Sequence, residues 1–246
     1  MTKKNPTLTQ RTAAGMAWLT GVQVTRQLLS IISVSVLARR IPAATYGLIG
    51  MAGLVTLLLE IIRDMGTGTA LIREQELPDS LASTAFWLNC GTGVVVTMFV
   101  IAMSWPAARF FHEPQVATIL QFLSVSFFLG ALGVVPTAVL NRAMDFRKVA
   151  AAQASGAVCG TASAIAIALA GGKVSALVSA ALVMSFVTTA MVWFLSPLRV
   201  KLVFNPADAR RILSFGLHLT GSQVMNYFSR NADNVLVGRF LVSGPL

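Results

Sequence analysis

Long apolar stretches dominate this chain and restrict it to one class of fold. Seven of them, joined by short polar connections, cover residues 13–37, 46–62, 81–105, 119–140, 149–169, 174–195 and 213–241. A helix needs about 20 apolar residues to cross a bilayer. Strands of a membrane barrel would alternate apolar and polar residues over about ten positions, and these stretches do not alternate. The sequence therefore predicts an all-α polytopic bundle of about seven transmembrane helices.

The number and distribution of charged residues also fit a membrane protein. Only 11% of its residues are charged, against about 25% in a soluble domain, and the formal net charge is +10. With the N-terminus in the cytoplasm, twelve Lys and Arg residues fall on the inner side and five on the outer side. This is the positive-inside bias of membrane proteins. The basic excess thus predicts orientation and contact with anionic membrane lipid, and it argues against nucleic acid as a partner.

Sequence signatures of catalysis are missing from the chain. It has no HExxH, no GxSxG and no phosphate-binding P-loop, and its two histidines, His112 and His218, are not in a ligand spacing. The connections between apolar stretches are too short to build a soluble site. We therefore expect a protein that is not an enzyme and that has no metal and no cofactor.

An internal repeat divides the chain. The residues LTGVQV at 19–24 return as LTGSQV at 219–224, and at the same offset Arg39 is matched by Arg239. A first helix that restarts near the end of the chain indicates two related halves. We predict a six-helix N-terminal lobe over residues 1–200. Residues 201–246 would be a linker and the first helix of an incomplete C-terminal lobe.

Polar residues form one stripe in the first apolar stretch and another in the seventh. The members are Gln23, Arg26, Gln27, Ser30 and Ser33 in the first, and Gln223, Asn226, Arg230, Asp233 and Asn234 in the seventh. Spacings of three and four residues place each set on one helix face. Polar groups in a membrane are costly and often functional. Two interpretations stay open: a polar cavity between two lobes that attracts a phosphate-bearing substrate, or hydrogen bonds that hold helices together.

Several short stretches, in this order and spacing, resemble one family of transporters. They are LARRI at 37–41, YG at 46–47, GTALIR at 68–73, TAFWLN at 84–89, RFF at 109–111, NRAMDFR at 141–147, SALV at 175–178, FG at 215–216 and NADNVLVGR at 231–239. The chain resembles the Wzx-type oligosaccharide flippases of the polysaccharide transporter family. These belong to the larger superfamily of multidrug, oligosaccharidyl-lipid and polysaccharide exporters.

The resemblance implies a protein of the bacterial inner membrane that moves polyprenyl-pyrophosphate-linked oligosaccharides to the periplasmic leaflet. Its members work by alternating access between two lobes around a cationic cavity, and they serve lipopolysaccharide or exopolysaccharide synthesis. Candidate partners are a glycan polymerase and export machinery. Because the family usually has twelve or more helices, the chain is expected to be an N-terminal portion that does not transport by itself.

The resemblance also gives roles to the polar residues. We expect Gln23, Arg26, Gln27 and Arg230 to contact substrate. Three basic residues between the fourth and fifth stretches, Arg142, Arg147 and Lys148, could meet the pyrophosphate at the cytoplasmic mouth, or could serve orientation only. Asp233 and Asn234 are candidates for ion coupling, with neutralisation of Arg230 as the alternative for Asp233.

Other functions remain open at this stage. One alternative is a multidrug or peptidoglycan-precursor exporter of the same superfamily. Another, of a different class, is an integral membrane enzyme of glycan assembly, which would need a large outer loop that the sequence does not show. The last alternative is that the chain is a nonfunctional or purely structural fragment.

Overall fold

The computed structural model describes the backbone of residues 8–74 and 76–240. Side chains are described for most of these residues, apart from 8–17, 231–240 and scattered positions in the first, second and last helices. The described residues form eight helices. They are α1 (Leu8–Leu37), α2 (Ala43–Asp64), α3 (Thr67–Arg73), α4 (Asp79–Phe111), α5 (Gln115–Arg142), α6 (Phe146–Leu169), α7 (Val174–Leu195) and α8 (Pro206–Phe240).

The all-α membrane bundle is confirmed. As far as residue 240, each of the seven apolar stretches lies in a long helix. Within the described residues four helices, α4, α5, α6 and α7, are long and apolar enough to cross a membrane. The count of about seven spans stays a prediction. Two helices extend beyond their apolar stretches: α4 continues through Pro106 to Phe111, and α8 begins at Pro206, ahead of the stretch at 213–241.

Helix α3 was not predicted, because its residues lie in the connection between the second and third apolar stretches. Met65 and Gly66 have left-handed φ angles of 43° and 63°, and they turn the chain from α2 into α3. Helix α8 crosses this turn with its own backbone. A Cβ atom on Gly216 would overlap the Met65 carbonyl oxygen, so the crossing requires glycine at position 216.

Helices α6 and α7 approach each other through small residues. A Cβ on Gly156 would overlap the Thr188 hydroxyl, and one on Gly160 would lie 2.7 Å from the Ala180 carbonyl oxygen. This is the small-residue packing typical of membrane helices, in which the backbones come close. Helix α5 also packs on α7 and α4, so it lies at the centre of the bundle.

The connection between α7 and α8 is held along the first turns of α4. The Lys201 backbone N–H donates to the Ser83 hydroxyl at 3.0 Å, and the Asn205 N–H donates to the Thr84 hydroxyl at 3.1 Å. The Trp87 indole in turn donates to the Lys201 carbonyl at 3.1 Å. Both copies of the repeated motif lie well inside long helices, α1 and α8. The division into lobes at residue 200 stays a prediction.

A candidate substrate cavity between α2, α5 and α7

A cavity of about 730 Å³ lies between α2, α3, α5 and α7, with Gln223 of α8 at its wall. Its lining on α5 runs from Ser126 to Asn141 at spacings of mostly three and four residues, which is one helix face. That distance along a helix is about 22 Å. The cavity is therefore a slot that extends along most of a membrane thickness.

Three charged residues from the last turn of α2 line the slot. They are Glu60, which is exposed, and Arg63 and Asp64, which are partly buried. Among the described side chains the Arg63 Nε is buried and has no hydrogen-bond partner. A buried, unpartnered guanidinium N–H is costly, so a group that accepts its hydrogen bond would be favoured there.

Glycines on neighbouring helices make room for these charges. The Arg63 guanidinium lies against Gly130 of α5, where a Cβ atom would overlap it. The Gly68 backbone N–H, in the first turn of α3, donates to the Asp64 carboxylate. A carboxylate is favoured at such a helix start, because free N–H groups point at it. Short helix α3 thus holds Asp64 at the rim of the slot.

A buried hydrogen-bond cluster fixes the turn that carries Arg63 and Asp64. The Thr67 hydroxyl donates to the Asp64 carbonyl at 2.7 Å and accepts from the Asn89 amide at 2.9 Å. The Asn89 amide also donates to the Ala85 carbonyl at 2.9 Å. Asn89 is fully buried in α4. These bonds tie the α2–α3 turn to α4 and so set the position of the charged residues.

Hydroxyl side chains line the slot on α5 and α7. Most of their protons are already used, although the buried Thr188 hydroxyl of α7 has no partner among the described residues. Ser126 donates to the Leu123 carbonyl at 2.6 Å, and Thr137 donates to the Gly133 carbonyl at 2.7 Å. On α7, Ser185 donates to the Ser126 carbonyl at 3.2 Å. A hydroxyl has one proton and two acceptor lone pairs. With the proton committed to the backbone, each of these oxygens can only accept.

The basic residues predicted at the inner mouth form contacts within the protein. The Arg142 guanidinium donates to the Leu71 carbonyl at 3.1 Å and to the Glu74 carbonyl, which joins the end of α5 to the end of α3. Lys148 pairs with Asp145 at 2.8 Å. Arg147 lies over the Trp18 ring, 5.1 Å from its centroid. Their contact with substrate stays a prediction.

The remaining predicted site residues divide into two groups. Gln23 and Gln27 have exposed side chains on α1 and are not part of the lining of the slot. The side chains of Arg26, Arg230, Asp233 and Asn234 lie outside the described part of the structure. Gln223, the repeat partner of Gln23, does line the slot. Of the two predicted polar stripes, the one on α8 therefore has a member, Gln223, at the wall of the cavity.

The charged triplet Glu60, Arg63 and Asp64 is not among the predicted site residues. A role in orientation alone does not account for the position of Arg63 against Gly130 of α5. The available signal was the spacing, because positions i, i+3 and i+4 share a face at the end of an apolar stretch. Among the side chains that the structure describes, no cluster of His, Cys, Asp and Glu suits a metal ion.

Comparison with known proteins gives a consistent set of relatives. The chain is 25% identical over 239 residues to the lipopolysaccharide biosynthesis protein WzxC of Escherichia coli, covering 96% of this chain and 49% of that protein. It is 24% identical over 213 residues to the succinoglycan biosynthesis transport protein ExoT of Rhizobium meliloti, covering 87% and 43%. It is also 24% identical over 241 residues to the teichuronic acid biosynthesis protein TuaB of Bacillus subtilis, covering 96% and 49%.

The chain spans about half the length of these curated relatives. No solved structure matches it at a significant level. The family described as "Polysaccharide biosynthesis protein" matches residues 36–246, which is most of the chain and includes every residue of the slot. The resemblance to polysaccharide transporters is therefore confirmed, and the chain belongs to this polysaccharide biosynthesis family of multi-pass membrane proteins.

Proposed function

We propose that the chain forms the first lobe of a flippase for polyprenyl-pyrophosphate-linked oligosaccharides in a bacterial inner membrane, serving lipopolysaccharide or exopolysaccharide synthesis. The observation that carries this proposal is a slot that holds Arg63 and two acids between the apolar helices of a chain from a polysaccharide biosynthesis family. Charged groups are costly inside a membrane bundle and often functional. Such a slot suits a hydrophilic cargo that must cross.

The proposed mechanism is alternating access between this lobe and a second one. The predicted stripes of α1 and α8, with Gln23, Arg26, Gln27 and Arg230, would face the passage, and Asp233 and Asn234 would serve ion coupling. The N-terminus is placed in the cytoplasm. The distribution of basic residues supports this orientation. This orientation would put Arg142, Arg147 and Lys148 at the cytoplasmic mouth. The proposed partners are a glycan polymerase and export machinery.

Deletion of the gene in its own host tests the proposal. A flippase mutant is expected to lose the surface polysaccharide while its lipid-linked repeat units accumulate on the cytoplasmic leaflet. Leaflet location is measured by whether an impermeant glycosidase can cleave the sugar in intact spheroplasts. A mutant that fails to build the repeat unit at all would point to an enzyme of assembly and overturn the proposal. Normal surface polysaccharide would overturn it as well.

The role of Arg26 is tested in a full-length parent protein that restores export in the deletion host, because this chain by itself is not expected to transport. Arg26→Ala is expected to lower polysaccharide export at equal protein level, because a guanidinium is well suited to a pyrophosphate. Unchanged export would remove Arg26 from the mechanism and leave the flippase proposal standing.

A further inference from the structure

The hydrogen-bond chemistry of the slot identifies which part of a lipid-linked sugar it would hold. Glu60 and Asp64 bring carboxylates, which when ionised only accept hydrogen bonds. Ser126, Thr137 and Ser185 have committed their protons to backbone carbonyls, and so has Thr189, which donates to the Leu129 carbonyl at 2.9 Å. The slot is therefore rich in acceptors along both α5 and α7.

Donors in the slot are fewer. The Arg63 guanidinium is the cation of the lining. The amides of Asn141 and Gln223 can each donate and accept, and so can the buried Thr188 hydroxyl, which has no partner among the described residues. Two acids lie beside this one guanidinium, so the described lining offers a phosphate a single cation that already has acids as neighbours. An acceptor-rich slot of this kind is a poor site for a pyrophosphate, whose oxygens are acceptors and carry negative charge.

A sugar has the opposite requirements. Each of its hydroxyls carries a proton to donate and lone pairs to accept. Its donors match the oxygens of Glu60, Asp64 and Thr137, and its own oxygens can satisfy the Arg63 Nε, which has no partner among the described side chains. A volume of about 730 Å³ falls in the range of sites for small organic ligands and fits a few sugar rings.

We propose that the slot between α2, α5 and α7 is a saccharide-binding site that holds the sugar hydroxyls and does not hold the pyrophosphate. This assignment rests on the proposed flippase function and deepens it. The acceptor oxygens of Glu60, Asp64 and Thr137 receive sugar hydroxyls, and Arg63 donates to sugar oxygens. The pyrophosphate lies outside this slot.

The test uses the full chain in nanodiscs of phosphatidylcholine and three probes. They are a polyprenyl pyrophosphate bearing the host oligosaccharide, the same lipid without sugar, and the oligosaccharide released from its lipid by mild acid. The sugar-bearing lipid should bind more tightly than the bare lipid, and the released oligosaccharide should compete with it. Equal binding of the bare lipid, or no competition by the released sugar, would overturn the assignment.

Substitutions then locate the binding to the slot. Thr137→Val keeps the volume but removes an acceptor. It should lower the affinity for the sugar-bearing lipid by about threefold to tenfold and leave the affinity for the bare lipid unchanged. Thr137→Ser should bind as the unmodified chain does. The matched control is Thr92→Val, because Thr92 also donates to a carbonyl of its own helix, that of Leu88 at 3.0 Å, and does not line the slot.

The outcomes separate this inference from the function on which it rests. Suppose that the unmodified chain prefers the sugar-bearing lipid. If Thr137→Val then lowers the affinity for both lipids equally, or lowers it no more than Thr92→Val does, the saccharide site is overturned and the flippase proposal stands. If the unmodified chain binds none of the three probes, the saccharide site is overturned. If gene deletion also leaves export normal, the flippase proposal is overturned with it.

Discussion

The glycines of two regions of this protein meet neighbouring helices in different ways. Between α6 and α7, Gly160 lies against the Ala180 carbonyl oxygen, so backbone faces backbone. Beside the slot, Gly130 of α5 lies against the Arg63 guanidinium, the far end of a flexible side chain. A side chain can move aside and a packed backbone cannot. The same residue type therefore supports the fold in one region and positions a charge in the other.

The largest loss of stability is expected from Gly160→Ala. The new Cβ would lie 2.7 Å from the Ala180 carbonyl oxygen and 2.9 Å from the Met184 Cβ, so the helices must separate. Overpacking of this kind costs about 1–3 kcal/mol of unfolding free energy. Thermal unfolding of the purified chain in detergent measures it. The control is Gly91→Ala on α4, where a Cβ meets nothing within 4 Å. Equal melting temperatures for the two variants would refute the close-packed α6–α7 contact.

A smaller loss is expected from Thr67→Val, which tests how the slot is held. The substitution removes the hydroxyl between the Asp64 carbonyl and the Asn89 amide, and a buried hydrogen bond of this kind contributes about 1 kcal/mol. Thermal unfolding should show the loss. Thr69→Val, at an exposed position of the same short helix, should leave the melting temperature close to that of the unmodified chain. Equal losses would mean that the cluster does not fix the turn.

The pair Glu74 and Arg211 should contribute less still. Their 2.7 Å ion pair joins the end of α3 to α8, and the Arg211 side chain is 66% exposed. Exposed pairs contribute about 0.2–1 kcal/mol, so Glu74→Gln should lower the unfolding free energy by no more than this. The effect should shrink in about 0.5 M salt, which screens exposed charges. A loss that salt does not change would contradict a purely electrostatic pair.

Gly130→Ala should have the smallest effect on stability. A large effect would contradict the difference between the two glycine regions. Its Cβ displaces the Arg63 guanidinium, which can swing away, so we expect a change in unfolding free energy below about 0.5 kcal/mol. Binding of the sugar-bearing lipid should nevertheless fall, because Arg63 is moved. Gly91→Ala again serves as the control for both measurements. A stability loss as large as that of Gly160→Ala would show that Gly130 also packs against backbone.

The helices of the bundle could be predicted from the sequence, because apolar length is a local property that each stretch carries by itself. Helix α3 could not, since its seven residues are stabilised by the burial of Leu71 and by the bond from Thr67 to Asn89, which is 22 positions away in the sequence. The extension of α4 past Pro106 was missed because proline usually ends a helix.

The slot was beyond sequence reasoning for a related reason. Its lining comes from α2, α3, α5, α7 and α8, and no local pattern brings those helices together. Thr137 and Ser126 look like ordinary membrane-helix residues until their protons are assigned to backbone carbonyls. Only Gln223 was marked in advance, through its place in the repeat.

The contact of Gly216 with the Met65 carbonyl has a mechanical consequence. Two backbones in contact cannot be compressed, so this point is a fulcrum for any tilt of α8 against the first helices. Gln223 lies seven residues further along α8, a lever arm of about 10 Å. A tilt of α8 therefore leaves the α2–α3 turn in place while it swings Gln223 at the wall of the slot.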